Sequence, residues 1–464
     1  MTETPVALGR TNRATRTSDL QGVIDANMCI GCGACHFADP TVDVVLDARK
    51  LIYQPSHASN ATAASVCPAV QVDFATLQDR IFPGSESGPY GVVQSVWLAQ
   101  STNLGRNLSA SSGGLVKELL LHYLARPDVD GVLALGHVAG IDFETRLVTD
   151  AEGVDELPGS IYHNLAQPRA LELLHQLEGR YVLVAIPCQL EGISAYIHTL
   201  APELATKVHT TIGLLCGWQY SHHALKAICD FKGIDYEAIT DISFRGEGPV
   251  GRLRMWTGED EVHVVGRRVD FDYQVAFDRS FNTPRCHVCV NHSNYLADVV
   301  VGDAWLPSTV TSQTGVSLLV CRTEATDTAV RALASADRAK VAEVSTAEIM
   351  ESQKRRVVFG DFAYAYAAYL DEIGVHHPDM VAPNRGAADL SSRTDVERFH
   401  RELMRKLELQ WNGRYRFLRL RKATIELPRL LLRYIGWFAV RVLRVKSLTG
   451  RRKEVARGRL RGFR

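Results

Sequence analysis

The sequence predicts an α/β protein, α+β over its whole length. Its expected parts are a small cysteine-organised module, a covered and mainly parallel sheet, a second α+β domain and a helical, basic C-terminal tail. Three observations carry this expectation. Cysteines punctuate the stretch after residue 20, short apolar runs alternate with helical segments from about Gly91, and the chain turns helical and arginine-rich beyond about residue 346. The borders that follow are 1–20 (disordered), 21–85 (module), 86–235 (α/β domain), 236–345 (α+β domain) and 346–464 (tail).

The elements follow in chain order. Val92–Ala99 reads as a strand, Leu115–Ala125 as an apolar helix, and Gly131–Leu135 as a short buried strand. Gln167–Leu177 is a helix, Tyr181–Ile186 a buried strand, Gln189–Leu200 a helix, Val208–Leu215 a strand and His222–Phe231 a helix. Apolar strands without polar alternation, each followed by a helix, belong to a sheet covered on both faces. Residues 238–345 hold further strands at Ile242–Arg245, Leu253–Trp256, Val262–Val265, Val299–Val301 and Ser317–Arg322, several of them separated by glycine turns such as Gly246-Glu247-Gly248-Pro249.

At 464 residues, 46% hydrophobic and 22% charged, the chain is sized for two or three domains with a substantial core. Its zero net charge conceals an asymmetry: residues 401–464 carry 20 Lys+Arg against 4 Asp+Glu, and the first 400 carry 32 against 48. No secretory signal and no run of about 18 apolar residues is visible. Ten cysteines in such a chain read as metal ligands rather than disulfides, and a cytoplasmic location is expected. No Ser–His–Asp or Walker-type motif points to hydrolysis or phosphoryl transfer.

Met28-Cys29-Ile30-Gly31-Cys32-Gly33-Ala34-Cys35 is the strongest local signal. A Cys-x2-Cys-x2-Cys loop wraps three iron corners of a [4Fe–4S] cubane and leaves the fourth to a distant thiolate. Gly31 and Gly33 let the backbone curl so that amides point at sulfur. Cys67, followed by Pro68, is the expected fourth ligand, making residues 21–85 a ferredoxin-like iron–sulfur module, although 31 residues separate it from Cys35. The alternative is a zinc knuckle with His36 in reserve; two separated Cys-x2-Cys pairs are the commoner zinc pattern.

A second set stands at strand ends. Cys188 follows a strand in Ile186-Pro187-Cys188-Gln189, and Cys216 ends another in Leu215-Cys216-Gly217. Cys286 and Cys289 form a Cys-x2-Cys pair. Ligands of open α/β sheets bind beyond the carboxyl ends of strands, so these four thiols can converge there. Equally, Cys188 and Cys216 are the kind of small residue that fills a core, as Cys229 and Cys321 are expected to do. His287 and His292 lie near the pair and are read as structural.

Taken together, the Cys29–Cys35 loop, Ser111-Ser112-Gly113-Gly114, Ile186–Gln189, Leu215-Cys216-Gly217, Arg285–Cys289 and Ala297–Asp303 resemble the coenzyme F-420 hydrogenase/dehydrogenase (beta-subunit) family, which includes the 7-hydroxymethyl chlorophyll a reductases. The likeness covers roughly residues 25–345 and rests on the order of the motifs. It implies an iron–sulfur flavoprotein oxidoreductase that binds FAD in residues 86–235. Electrons would pass between ferredoxin (or another redox partner) or reduced coenzyme F-420 and a small organic acceptor. It also implies a second cluster on Cys188, Cys216, Cys286 and Cys289. An electron relay within a larger complex is the alternative reading, and a zinc-bound interaction protein a more distant one.

Ser109–Gly114 leads into the Leu115–Ala125 helix. A serine there can cap the helix, and the glycines let a pyrophosphate approach its first amides. Alone, the segment reads equally as a capped helix start; the resemblance favours the FAD phosphates at Ser111, Ser112, Gly113 and Gly114. Asn103 and Arg106, just before it, are placed to contact the same nucleotide, with a solvated loop charge as the alternative for Arg106. Asp303, just after the Val299–Val301 strand, is placed to orient substrate or bond to flavin, and reads equally as a turn-forming Asp.

In the tail, Leu430–Leu443 is apolar, and Arg429, Arg433, Arg441 and Arg444 fall within about 120° of one another on a helix. With Tyr434, Trp437, Phe438 and the Arg451-Arg452-Lys453 cluster, this suits peripheral contact with an anionic membrane on its inner face rather than nucleic acid. The alternative is packing on the acidic body.

Overall fold

A computed structural model of the protein describes residues 19–246, 248, 251–258, 261–267, 270–309, 312–382 and 392–426. The 1–18 part of the expected disordered stretch and the whole Leu430–Leu443 segment lie outside these residues.

Eight strands form the main sheet: β1 (Ser95–Ser101), β2 (Gly131–Ala139), β3 (Asp142–Val148), β4 (Tyr181–Ala185), β5 (Val208–Leu214), β6 (Val299–Asp303), β7 (Ser317–Cys321) and β8 (Ala339–Val344). Their order is β8-β1-β7-β6-β5-β4-β2-β3. The central four, β2, β4, β5 and β6, run parallel, with Leu133 opposite Leu183, Val184 opposite Ile212 and Ile212 opposite Val299. The flanks are antiparallel: a tight turn at Gly140 folds β3 back on β2, and β7, β1 and β8 pair antiparallel on the other side. The sheet is therefore mixed, parallel in its centre, as covered α/β sheets with antiparallel edges often are.

Alternation along each strand assigns the layers. Leu133, Leu183, Val300 and Leu318 point to one face and pack on the Pro168–Gln176 and Pro187–Leu200 helices. Val132, Val182, Ile212, Val299 and Leu319 point to the other and pack on the Leu115–Leu124 and Glu324–Ser335 helices. Each buried aliphatic side chain contributes about 1.5–3 kcal/mol, so runs such as Val299–Val301 are stable only between two helical layers.

This explains a difference from the sequence reading. Among the described residues of 236–345, only Asp241–Ser243, Arg252–Trp256 and Val262–Gly266 form a sheet of their own; β6, β7 and β8 return to the main sheet. Cys229 and Cys321 are core residues, as expected.

The cysteine module docks on this body. Gln167 N–H donates to Gly31 O at 2.7 Å, and Gln71–Asp73 pairs in parallel with Asp379–Val381 from the far end of the chain. The described part of the basic tail also folds back on acidic residues: Arg416 meets Asp230, Arg419 meets Asp272, and Lys406 and Lys422 meet Asp278. No described helix is long and apolar enough to cross a membrane.

Candidate functional site

The N-terminal tetrad is built locally. Gly31 and Gly33 sit at φ +76° and +81°, a region costly to side-chain-bearing residues. A Cβ on Gly31 would stand 2.5 Å from Leu165 O, and one on Gly33 2.6 Å from Pro168 Cα. Both glycines therefore serve curvature and docking at once. Gly31 N–H donates to Cys29 Sγ at 3.3 Å, an amide-to-sulfur bond of the kind that steadies a ligating thiolate. Cys29, Cys32, Cys35 and Cys67 are all buried. Burial and the neighbouring sulfurs push the Cys29 thiol up to about 12 and raise Cys32 and Cys35 as well; burial raises Cys67. Thiolates crowded in this way need a cationic centre among them, so the residues suit a buried metal core better than a reactive cysteine. Among the described residues no three His, Cys, Asp or Glu groups converge on one ion. A cubane takes one thiolate per iron and asks for a wider tetrad.

The second set is assembled by topology. The carboxyl ends of β4 and β5 deliver Cys188 and Cys216, while the one-turn helix Pro284–Val288 and its exit deliver Cys286 and Cys289. All four line one small cavity of about 20 Å³, together with Ile30, Pro187, Gly217–Gln219, Arg285 and His292. Gln219 N–H lies 3.3 Å from Cys286 Sγ, and His292 Nδ1 lies 3.1 Å from Cys216 O. Burial raises the Cys188, Cys286 and Cys289 thiols, Cys289 to about 12. Cys188 and Cys216 are both half-buried on this lining, and Cys188 also packs against the main core.

Beside it lies a larger cavity of about 700 Å³, within the range of cofactor sites. It is lined by residues at the carboxyl ends of β2, β4, β5 and β6, by Ser109–Ser112 and Gly114–Lys117, and by Arg245, Arg267 and Tyr273. Cys216, Gly217, Trp218 and Gln219 line both cavities and form their common wall. The N-terminal loop reaches the smaller cavity: Ile30 lines it, and a Cβ on Gly192 of the Pro187–Leu200 helix would stand 2.5 Å from Cys32 Sγ.

The expected cofactor residues divide. Ser111, Ser112 and Gly114 line the large cavity. Gly113 does not; it is needed where the chain crosses β1, since a Cβ there would meet Ala99 O at 2.6 Å. No serine caps the Leu115–Leu124 helix: Gly114, at φ +80°, is its N-cap and no side chain closes its first amides. Ser112 Oγ is held by Gly302 O, Val316 O and Ser317 Oγ, and Ser111 Oγ accepts from Ser160 N–H. Open amides at a helix start on a cavity wall suit a pyrophosphate better than the capped arrangement does. Asn103 lies off the cavity, capping the Leu104–Ser109 helix through Arg106 N–H, because its own side chain is used in that turn. Arg106 is tied to Asp155 and buried Glu118. Asp303 lines the cavity but is paired with buried Arg245 at 2.8 Å. His287 is buried against Phe399, and burial pushes its imidazole down to about 3, consistent with a structural role.

Several lining residues had no signal in the sequence. Arg245, Arg267, Tyr162 and Trp218 stand on separate loops, and Ser352 and Gln353 come from the start of the expected tail. Gln353 Nε2 donates to Asp303 O at 2.9 Å, so this segment closes one side of the site.

Two family models match the chain: the N-terminal region of the coenzyme F420 hydrogenase/dehydrogenase beta subunit over residues 96–172, and its C-terminal region over residues 178–347. Together they cover just over half of it. The chain belongs to this family. Among its relatives is a component of the F(420)H(2) dehydrogenase of Methanosarcina mazei, 22% identical over 302 residues, which are 61% of this chain and 78% of that one. Another is the coenzyme F420-dependent sulfite reductase of Methanocaldococcus jannaschii, 23% identical over 320 residues, 66% of this chain but only 46% of that one. A chain of the F420-reducing [NiFe] hydrogenase complex of Methanosarcina barkeri aligns with a TM-score of 0.48 at 18% identity, over 64% of this chain and 98% of the other. From the family models and the two relatives, the chain is a redox protein of the F420 hydrogenase/dehydrogenase beta-subunit type. Its family models span both the large cavity's strands and the second cysteine set, while the N-terminal tetrad precedes them.

Proposed function

We propose that this chain is a flavin- and [4Fe–4S]-dependent oxidoreductase, passing electrons between ferredoxin or reduced F420 and an organic acceptor through FAD. The observation that carries the reading is the shared wall at Cys216–Gln219: a cavity of cofactor size abuts a cavity lined by four cysteines, and Ile30 of the N-terminal cysteine loop lines the latter. A flavin supplies exchange between two-electron and one-electron chemistry, and iron–sulfur clusters carry single electrons.

The residues have distinct parts in this scheme. The first amides of the Leu115–Leu124 helix and Lys117 would hold the phosphates, with Lys117 Nζ anchored on Asp155 O. Arg245 and Arg267, both close to Tyr162, supply positive charge on the cavity lining, suited to an anionic portion of cofactor or substrate. Trp218 and the buried strand ends exclude water from the wall between the cavities. Cys29, Cys32, Cys35 and Cys67 would hold one cluster, and Cys188, Cys216, Cys286 and Cys289 a second.

The test is turnover by the purified full chain under anaerobic conditions, with reduced F420 as donor and viologen or an organic acceptor as oxidant. Reaction without added partner chains supports the oxidoreductase reading. Failure with every free acceptor, alongside transfer to a partner complex, would instead support a relay role.

A further inference from the structure

We propose that Arg285 is a positioning residue for electron transfer, a buried cation between the two cysteine sets that holds up the reduction potential of both centres and is tempered by Glu191. The inference rests on the two-cluster reading above and deepens it.

Arg285 is among the largest fully buried side chains, at 1% exposure, and Glu191 is at 0%. They meet through a single contact, Nη2 to Oε2 at 3.2 Å, rather than a two-point fork; Asn291 Nδ2 donates to the other Glu191 oxygen at 2.8 Å. Nη2 also approaches Met380 Sδ at 2.9 Å. Nε and Nη1 are buried and meet no protein acceptor. A buried guanidinium with two unmet N–H groups is costly unless something nearby accepts them.

The surroundings name the acceptor. Arg285 lines the cavity shared by Cys188, Cys216, Cys286 and Cys289, and Ile30 of the first loop lines it too. Its charge stabilises the thiolate forms of Cys286 and Cys289 on one side and of Cys67 on the other. A sulfur-rich anionic centre in that cavity would take the two free N–H groups. Hydrogen bonds to sulfur and nearby charge are the means by which a protein sets a cluster's potential. Reduction adds negative charge, so a neighbouring cation favours it and a neighbouring carboxylate opposes it. The opposed pair Arg285–Glu191 therefore predicts shifts of opposite sign.

The experiment is an EPR-monitored potentiometric titration of the anaerobically prepared full chain at pH 8, comparing wild type with Arg285→Gln, Arg285→Lys and Glu191→Gln. Arg285→Gln should lower both midpoints, and more for the centre on Cys188, Cys216, Cys286 and Cys289. There the reduced-to-oxidised ratio at fixed potential should fall on the order of tenfold, ~59 mV for one electron. Arg285→Lys should recover most of the shift, and Glu191→Gln should raise the midpoints. Unmoved midpoints in wild-type-like, fully loaded variants, or shifts of one sign in both, would overturn the assignment. If Arg285→Gln cannot load its second centre, Glu191→Gln decides: a rise supports the proposal, and no change or a fall overturns it. A wild type with a single paramagnetic centre would instead sink the two-cluster reading, and this proposal with it.

Discussion

The two cysteine sets reach a similar buried state by opposite routes. Cys29, Cys32 and Cys35 lie within seven residues, shaped by two left-handed glycines, and Cys67 follows a two-stranded ribbon and the short Ala61–Ser65 helix. Cys188, Cys216, Cys286 and Cys289 span about a hundred residues and meet only because the central strands β4 and β5 and the segment before β6 bring them to the carboxyl end of the sheet. The first site is encoded by a loop, the second by a fold. The first should therefore fail through local changes and the second through changes to the sheet, and only the second borders the large cavity.

The largest effect separates them directly. Cys32→Ser should remove one centre and cut bound iron from about eight to about four per chain, and Cys188→Ser should do the same for the other. Iron analysis with EPR checks this. A loss of all iron in either variant would merge the two sites into one cooperative unit.

Next in size, Gly33→Ala should cost roughly 3 kcal/mol, combining a left-handed backbone with a Cβ pressed on Pro168. Thermal unfolding should show it, together with loss of the N-terminal centre and retention of the second.

Acid should act on the same junction. His223 Nε2 lies 2.8 Å from Arg49 O of the module and its Nδ1 2.6 Å from Tyr415 Oη; burial holds its imidazole down, to about 4. The unfolded chain takes up that proton first, so stability is full above the ordinary histidine range and falls as pH drops from about 6.5 toward 4. The loss should approach ~3 kcal/mol at most. His223→Gln should flatten that part of the pH–stability curve; an unchanged slope would remove His223 from the docking interface.

The smallest expected effect is Ser112→Ala, about 1 kcal/mol from the lost bonds to the β6–β7 connection. FAD retention should weaken by a few fold, with both centres intact.

The same contrast accounts for what could be read in the sequence. Buried strands with no polar alternation, such as Tyr181–Ala185 and Val299–Val301, were readable because burial on both faces leaves that pattern, and the Cys-x2-Cys-x2-Cys loop because its ligands are neighbours. The polar strand β3 was not, since Asp142–Val148 alternates at a sheet edge beside a turn. The return of β6, β7 and β8 to the main sheet is a matter of partner choice, which no local pattern states. Asn103 looked like a cofactor contact because an Asn before a glycine-rich turn serves equally as a helix cap, and here it does. Arg285 and Glu191 are 94 residues apart, and their pairing exists only in the folded core. The apolar basic segment at Leu430–Leu443 lies outside the described residues, and the part of the tail before it uses its charge on Asp230, Asp272 and Asp278 of the body.

Anaerobic purification of the full chain with iron, sulfide and flavin quantitation and visible spectroscopy tests the central claim most directly. About eight irons, as many sulfides and one FAD per chain, with a brown colour that bleaches on reduction, are expected for two cubanes beside a flavin. Pale protein that takes up neither iron nor flavin on reconstitution would contradict it.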